Sequence, residues 1–253
     1  MNGFAKHQLT HTSPSQVNMW ADAPCAWVAS YLFKKRLGFS AAAQIGVLTE
    51  KVVADVLMGM DFEAALEQAK GDFNRRNALN TNASDLARID HIEPMAIAAL
   101  DELRQYGEPE FVVDLKGRQQ KEISLVCKGD GWEIPVKGYV DFYYPKHGLV
   151  VDLKTTGRMP SVMSDAHKRQ SAIYRHAMGN AAVKFLYVTP KKAAWHEVED
   201  QAEVLAQVKA ILTRQEAFLR LGDKELLRSV VPVNVESFYW MGASDIRKEI
   251  YGI

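Results

Sequence analysis

The hydrophobic pattern changes period once, near Tyr106, and that change limits the folds open to this chain. Before it, apolar residues recur at helical spacing. Ser13-Pro14-Ser15-Gln16 reads as a helix start, with Ser13 as cap, Pro14 in the first turn and Gln16 closing a capping box. Val17, Trp20, Trp27, Val28 and Tyr31 follow, and Pro24 is expected to kink or break that helix. A second helix is expected from near Ser40 to Met58, with Ile45, Leu48, Val52 and Val56 on one stripe. Two more are expected near 62–77 and 84–105, joined by the polar Asn77-to-Asn82 stretch. After Tyr106 the period is two. Phe111 to Leu115, Glu122 to Cys127, Glu133 to Tyr144 and Leu149 to Lys154 read as strands. Gly117, Gly129-Asp130-Gly131 and Pro145-Lys146-His147-Gly148 separate them. A helix from about Ser161 to Met178, a strand from Val183 to Val188, a short strand around Trp195 to Val198 and a long helix over 201–221 lead to a mixed tail. Helices, a meander of strands, then helix and strand again predict an α+β or α/β protein with a central mixed sheet flanked by helices.

No domain boundary interrupts this order, so a single domain over 1–253 is expected, with a helical insertion at about 60–106 and a helical tail at about 200–253. Charge is balanced at 31 basic against 31 acidic residues, so any nucleic-acid contact must come from a local patch or a bound metal. Cys25 and Cys127 form no CxxC pair and fit a reducing cytoplasm. No apolar run approaches the roughly 20 residues of a membrane span, and the polar segment Met1 to Thr12 has no signal-peptide core. A soluble cytoplasmic protein is expected. The histidines show no HxH or HExxH spacing, and no glycine-rich phosphate loop is present, which argues against zinc hydrolases and ATPases.

The chemistry concentrates in Gly138-Tyr139-Val140-Asp141 and Val151-Asp152-Leu153-Lys154. If Pro145 to Gly148 form a four-residue hairpin loop, Tyr144 faces Leu149, and the register places Asp141 opposite Asp152. Cross-strand partners share a face with Cβ atoms about 4.5–5.5 Å apart, and Lys154, two residues on, projects from that face too. Facing carboxylates repel unless a divalent cation sits between them. Mg²⁺ accepts one or two carboxylates plus water and phosphate oxygens, and Lys154 could stabilise charge developing on a phosphate. The competing reading is an exposed strand face with a solvated Asp–Lys pair.

These residues resemble the signature of the PD-(D/E)XK nuclease superfamily, in the form of its RecB-like and Cas4-like branch. Gln170-Ser171-Ala172-Ile173-Tyr174 is similar to that branch's QxxxY motif, an i,i+4 pair on one helix face. Ser13 to Trp20 with Ala23-Pro24-Cys25 looks like the branch's opening helix, with Pro and Cys in reversed order. Gly46-Val47-Leu48-Thr49-Glu50 is similar to its Gly-x-x-x-His motif, with Glu50 where a metal-binding His often stands. The resemblance covers most of 13–190. It implies a restriction-endonuclease-like core and a Mg²⁺- or Mn²⁺-dependent deoxyribonuclease, an exonuclease before an endonuclease. It also implies metal ligands Asp141, Asp152 and Glu50, a catalytic Lys154, supporting Gln170 and Tyr174, and no iron–sulfur cluster, since only two cysteines are present. The partners it implies are DNA and a single-strand annealing or other recombination protein. A structure-specific or Cas4-like endonuclease and a non-catalytic DNA-binding subunit stay open.

Arg158, Lys168, Arg169, Arg175, Lys191 and Lys192 are the candidate phosphate contacts, each against the alternative of a solvated charge. Trp195 and His196 could meet a strand end, with core packing the stronger expectation for Trp195. Phe238-Tyr239-Trp240 could be a stacking platform, against a core strand or an oligomer contact.

Overall fold

Ser13 accepts a hydrogen bond from the Gln16 amide and starts helix α1 (Pro14–Asp22); Pro24 then opens a separate short helix, Pro24–Trp27, so the chain breaks there as expected. The structure, a computed structural model, describes residues 2–38, 40–110, 112–113, 119–125, 134–179 and 181–253; at 112–113 and 119–125 the description is of the backbone. Ser40 caps α2 (Ala41–Leu57) and Asp61 caps α3 (Phe62–Arg76).

The helix expected over 84–105 is instead interrupted. A short helix at Ala83–Leu86 and a 3₁₀ turn at Ala87–His91 precede α4 (Ile92–Leu103). Pro94 explains the restart: it has no N–H to give the carbonyl of Asp90, and its ring crowds that carbonyl, so a helix cannot run through this point unbroken.

The strands are β1 (Val112–Val113), β2 (Gln119–Leu125), β3 (Val136–Val140), β4 (Phe142–Tyr144) and β5 (Leu149–Thr155). Helix α5 (Asp165–Ala177) leads to β6 (Ala182–Thr189) and β7 (Lys192–Glu197), and α6 (Gln201–Arg220), α7 (Lys224–Val230) and α8 (Ser244–Tyr251) follow. Helix α5 begins later than expected because Ser164 is its cap, accepting from the His167 amide. The expectations at Leu115, Gly117, Cys127, Gly129 to Gly131 and Glu133 lie outside the described residues.

One expected strand, Glu133 to Tyr144, proves to be two. Asp141 occupies a bend, with β3 before it in a sheet of order β1-β2-β3 and β4 after it in a sheet of order β4-β5-β6-β7. In the second sheet β5 pairs antiparallel with β4 and parallel with β6, and α5 supplies the crossover that parallel neighbours need. The result is a mixed α/β protein with a four-stranded mixed sheet.

Alternation on β5 divides the core. Leu149, Val151 and Leu153 join Phe142, Tyr144, Leu186 and Val188 in one buried cluster, with Leu48, Val52, Phe73 and Leu100 of α2, α3 and α4. Val150 joins Val183, Phe185 and Tyr187 in a second cluster, with Val17, Ile173 and Val208 of α1, α5 and α6. Asp152 and Lys154 continue the second face, among helices α1 and α5. Among the described residues no helix is long and apolar enough to cross a membrane.

Candidate metal centre

The hairpin that builds the site turns as its sequence requires. Pro145–His147 form one 3₁₀ turn, and Gly148 adopts the left-handed conformation at φ 55°, which a side chain would strain. The register is Tyr144 with Leu149, Tyr143 with Val150 and Phe142 with Val151. That is the expected alignment for three pairs. The ladder stops one residue short of the aspartates, because Asp141 is in the bend and its side chain takes over from its backbone. Asp141 Oδ2 accepts the Leu153 amide at 2.8 Å, filling the position on β5 that a continued strand would have filled. Both aspartates are buried, Asp141 at 7% exposure and Asp152 at 1%. A solvated strand face is thereby excluded.

Asp152 is held from two sides. Its Oδ1 forms an ion pair with Lys154 Nζ, and its Oδ2 accepts from Gln170 Nε2 at 2.8 Å. The same Gln170 amide donates to Tyr174 Oη at 2.7 Å, and Tyr174 Oη donates to the Tyr139 carbonyl at 2.6 Å. One helix turn thus ties β5 to β3 across the bend. Lys154 Nζ also lies 5.5 Å from the Phe185 ring centroid.

Glu50 comes from the opposite layer. At Gly46 an added Cβ would stand 3.0 Å from Thr155 Oγ1, so the missing side chain lets α2 approach the end of β5 closely. Glu50 follows one turn later, and its charge acts on Asp141, Lys154 and Tyr174.

The electrostatics report crowding of negative charge. Burial, then the charges of Glu50 and Asp152, hold the Asp141 carboxyl well above the usual carboxylate range, against the opposing pull of Lys154 and the Leu153 amide. Burial raises Asp152 too, opposed by Lys154. Lys154 is raised by Asp152 and Asp141, which outweigh its burial. The Tyr174 hydroxyl is raised by burial and by the same carboxylates.

Among the described residues no group of three or more His, Cys, Asp or Glu side chains is gathered as a ready metal cage. The three-carboxylate set of Glu50, Asp141 and Asp152 is therefore not drawn together as a complete cage. Mg²⁺ does not require one, since one or two carboxylates suffice with water and phosphate oxygens. Asp141 and Asp152 fit that need: both are buried and both are pushed toward protonation.

The candidate phosphate contacts do not form one patch. Arg158, Lys191 and Lys192 are exposed, near the end of the sheet where β5 and β6 finish. Lys168 is half-buried and ion-paired with Asp165 at 3.3 Å. Arg175 lines a cavity with Glu197, Glu199, Asp200 and Glu203, surroundings that repel phosphate. Arg169 is tied up within the protein. Its guanidinium is buried and donates to Asn18 at 2.7 Å and Asp22 at 2.9 Å, so it fastens α5 to α1. Arg169→Ala is expected to cost about 1–3 kcal/mol in urea unfolding, moderated because Asp22 is partly exposed. The salt dependence of DNA binding should not change, whereas loss of a phosphate contact would reduce its slope by about one.

His167, a neighbour of the site, escaped the sequence reading. His167 Nδ1 meets Tyr187 Oη at 2.5 Å beside Lys154, and burial with the lysine charge pushes the imidazole down to about 4. The only sequence signal was its place three residues before Gln170, on the same helix face. Trp195 packs at the edge of the core, donating to Glu102 at 2.7 Å, and His196 stands edge-on to Tyr187. Phe238–Trp240 form a 3₁₀ turn and not a core strand, with Trp240 buried and Phe238 exposed.

No protein-family model matches the chain, and no curated protein does. Among solved structures, that of SSO0001 is similar over 74% of this chain and 96% of that one, at 15% identity and a TM-score of 0.37, a likeness too weak to bear on fold or function. Fold and site together define a mixed α/β protein in which two buried aspartates and a partly buried lysine gather beside the four-stranded sheet.

Proposed function

We propose that the chain is a Mg²⁺- or Mn²⁺-dependent deoxyribonuclease with a restriction-endonuclease-like core, hydrolysing phosphodiester bonds at DNA ends. One observation carries the reading: Asp152 is clasped between Lys154 and Gln170 while the Asp141 carboxylate is fixed alongside by the Leu153 amide. Burial pushes both carboxyls up, and the charges of Glu50 and Asp152 add to this at Asp141, a cost that a bound cation would relieve.

A divalent ion held by Asp141 and Asp152 supplies an activated water and offsets phosphate charge. Lys154, anchored by Asp152 and packed over Phe185, presents its ammonium where negative charge grows on the phosphate. Gln170 fixes the orientation of Asp152 and is itself fixed by Tyr174. The neutral overall charge fits an enzyme whose metal and few local cations hold DNA. DNA ends are the favoured substrate, with a single-strand annealing or other recombination protein as partner, by the sequence resemblance.

Incubation of end-labelled linear DNA and of a closed circle, with Mg²⁺ or with chelator, tests this. Metal-dependent loss of label from the linear form with the circle intact is expected. Nicking of the circle would make the enzyme an endonuclease. Binding of DNA with no cleavage in Mg²⁺ or Mn²⁺ would overturn the catalytic reading.

A further inference from the structure

A cavity of about 620 Å³ opens beside Lys154 and Gln170, and its far wall is the C-terminal segment Asn234, Ser237, Phe238 and Tyr239. Phe238 is 67% exposed, so its ring is open to a ligand in this cavity. Its place is fixed. The next residue but one, Trp240, is buried against Tyr251, Ser237 Oγ accepts the Tyr239 amide, and Arg247 donates to the Val235 carbonyl at 3.0 Å. The Phe238 and Tyr239 rings stand edge-on at 5.5 Å, so one ring braces the other.

We propose that this cavity receives an unpaired nucleobase of the DNA strand whose phosphate lies at Lys154, stacked on the Phe238 ring; the assignment rests on the nuclease reading above. The volume is of the size that encloses a small organic group. Phe238 and Tyr239 line the cavity with aromatic rings and Lys154 and Gln170 with an ammonium and an amide, while Asn18, His167 and the Asp22 carboxylate add polar lining; this mixture suits a base attached to its phosphate better than an apolar protein segment. Asn234 and Ser237 supply polar atoms for the base edge. The chain has no net positive charge, so stacking supplies affinity that electrostatics does not. In a duplex both faces of a base are already covered by neighbours, so the ring selects an unpaired or frayed end.

The test is equilibrium binding in Ca²⁺ of an oligothymidylate of about twelve nucleotides and of a blunt duplex. Phe238→Ala is expected to weaken the single strand about tenfold and the duplex by less than about twofold, and Phe238→Trp to restore binding. An oligonucleotide abasic at its end should lose the same factor on wild type and nothing further on Phe238→Ala, a coupling that misfolding would not produce. Equal loss of both DNA forms, unaltered single-strand binding by Phe238→Ala, or an abasic loss that persists undiminished in it overturns the base pocket. If wild type cleaves DNA and Phe238→Ala behaves as wild type, the pocket alone fails. If wild type binds neither DNA, the nuclease reading fails with it.

Discussion

Lys154→Met is expected to slow Mg²⁺-dependent cleavage of linear DNA by about 10²–10³-fold, the scale of removing one preorganised group from a developing anion. Methionine keeps an unbranched stem over Phe185 and deletes the ammonium that pairs with Asp152. Metal affinity should hold or tighten, because the lysine competes with a bound cation for Asp152 Oδ1. The two effects therefore separate: rate falls while metal binding does not. Cleavage at the wild-type rate would remove Lys154 from the chemistry. Joint loss of cleavage and metal binding would make it a structural partner of Asp152 only.

Asp141→Asn should act in opposite directions on stability and function. The amide oxygen can still accept the Leu153 N–H, so the bend is retained, while a buried negative charge beside Glu50 and Asp152 disappears. Without metal, the variant should be more stable than wild type near neutral pH, by about 0.5–2 kcal/mol. The sign follows from linkage. The folded protein holds the Asp141 proton more tightly than the unfolded chain does. Metal-free wild type should thus gain stability as pH falls through the raised value toward the ordinary carboxylate range, and lose it as pH rises. Asp141→Asn should flatten that dependence and reduce metal affinity by at least about tenfold. Chemical denaturation across pH in chelator reads the first effect. A variant less stable than wild type at neutral pH would show that the charge is compensated in the apo protein and would contradict the crowding described for the site.

How much of this was written in the sequence varies with how local each signal is. The four-residue loop Pro145 to Gly148 set the hairpin register, because a short turn leaves the flanking strands little choice. Gln170 and Tyr174 were legible as an i,i+4 pair, and they share one hydrogen bond. Ser13 and Ser40 marked helix starts by the same local logic.

The bend at Asp141 was not legible. Val136, Gly138, Val140, Phe142 and Tyr144 are all buried at a period of two, straight across it, so no break in the pattern announces that the chain changes sheets. Arg169 looked like its exposed neighbours because its partners, Asn18 and Asp22, lie 151 and 147 residues away. The Phe238 wall depends on a tail whose fold follows from distant contacts with the segment after Pro24, such as Tyr251 Oη donating to the Cys25 carbonyl at 2.7 Å and Glu249 pairing with Lys35, not from its own period. Distant pairing, in each case, decided what local pattern left open.

Calorimetric titration of Mn²⁺ into the wild-type protein and into Asp152→Asn is the most direct test of the centre. Asparagine preserves the acceptor for Gln170 but not the charge. Saturable binding by the wild type and none by the variant is the expected result. Heat that is absent from both, or identical in both, would mean that no cation is held at Asp152 and that the carboxylates beside Lys154 serve some other end.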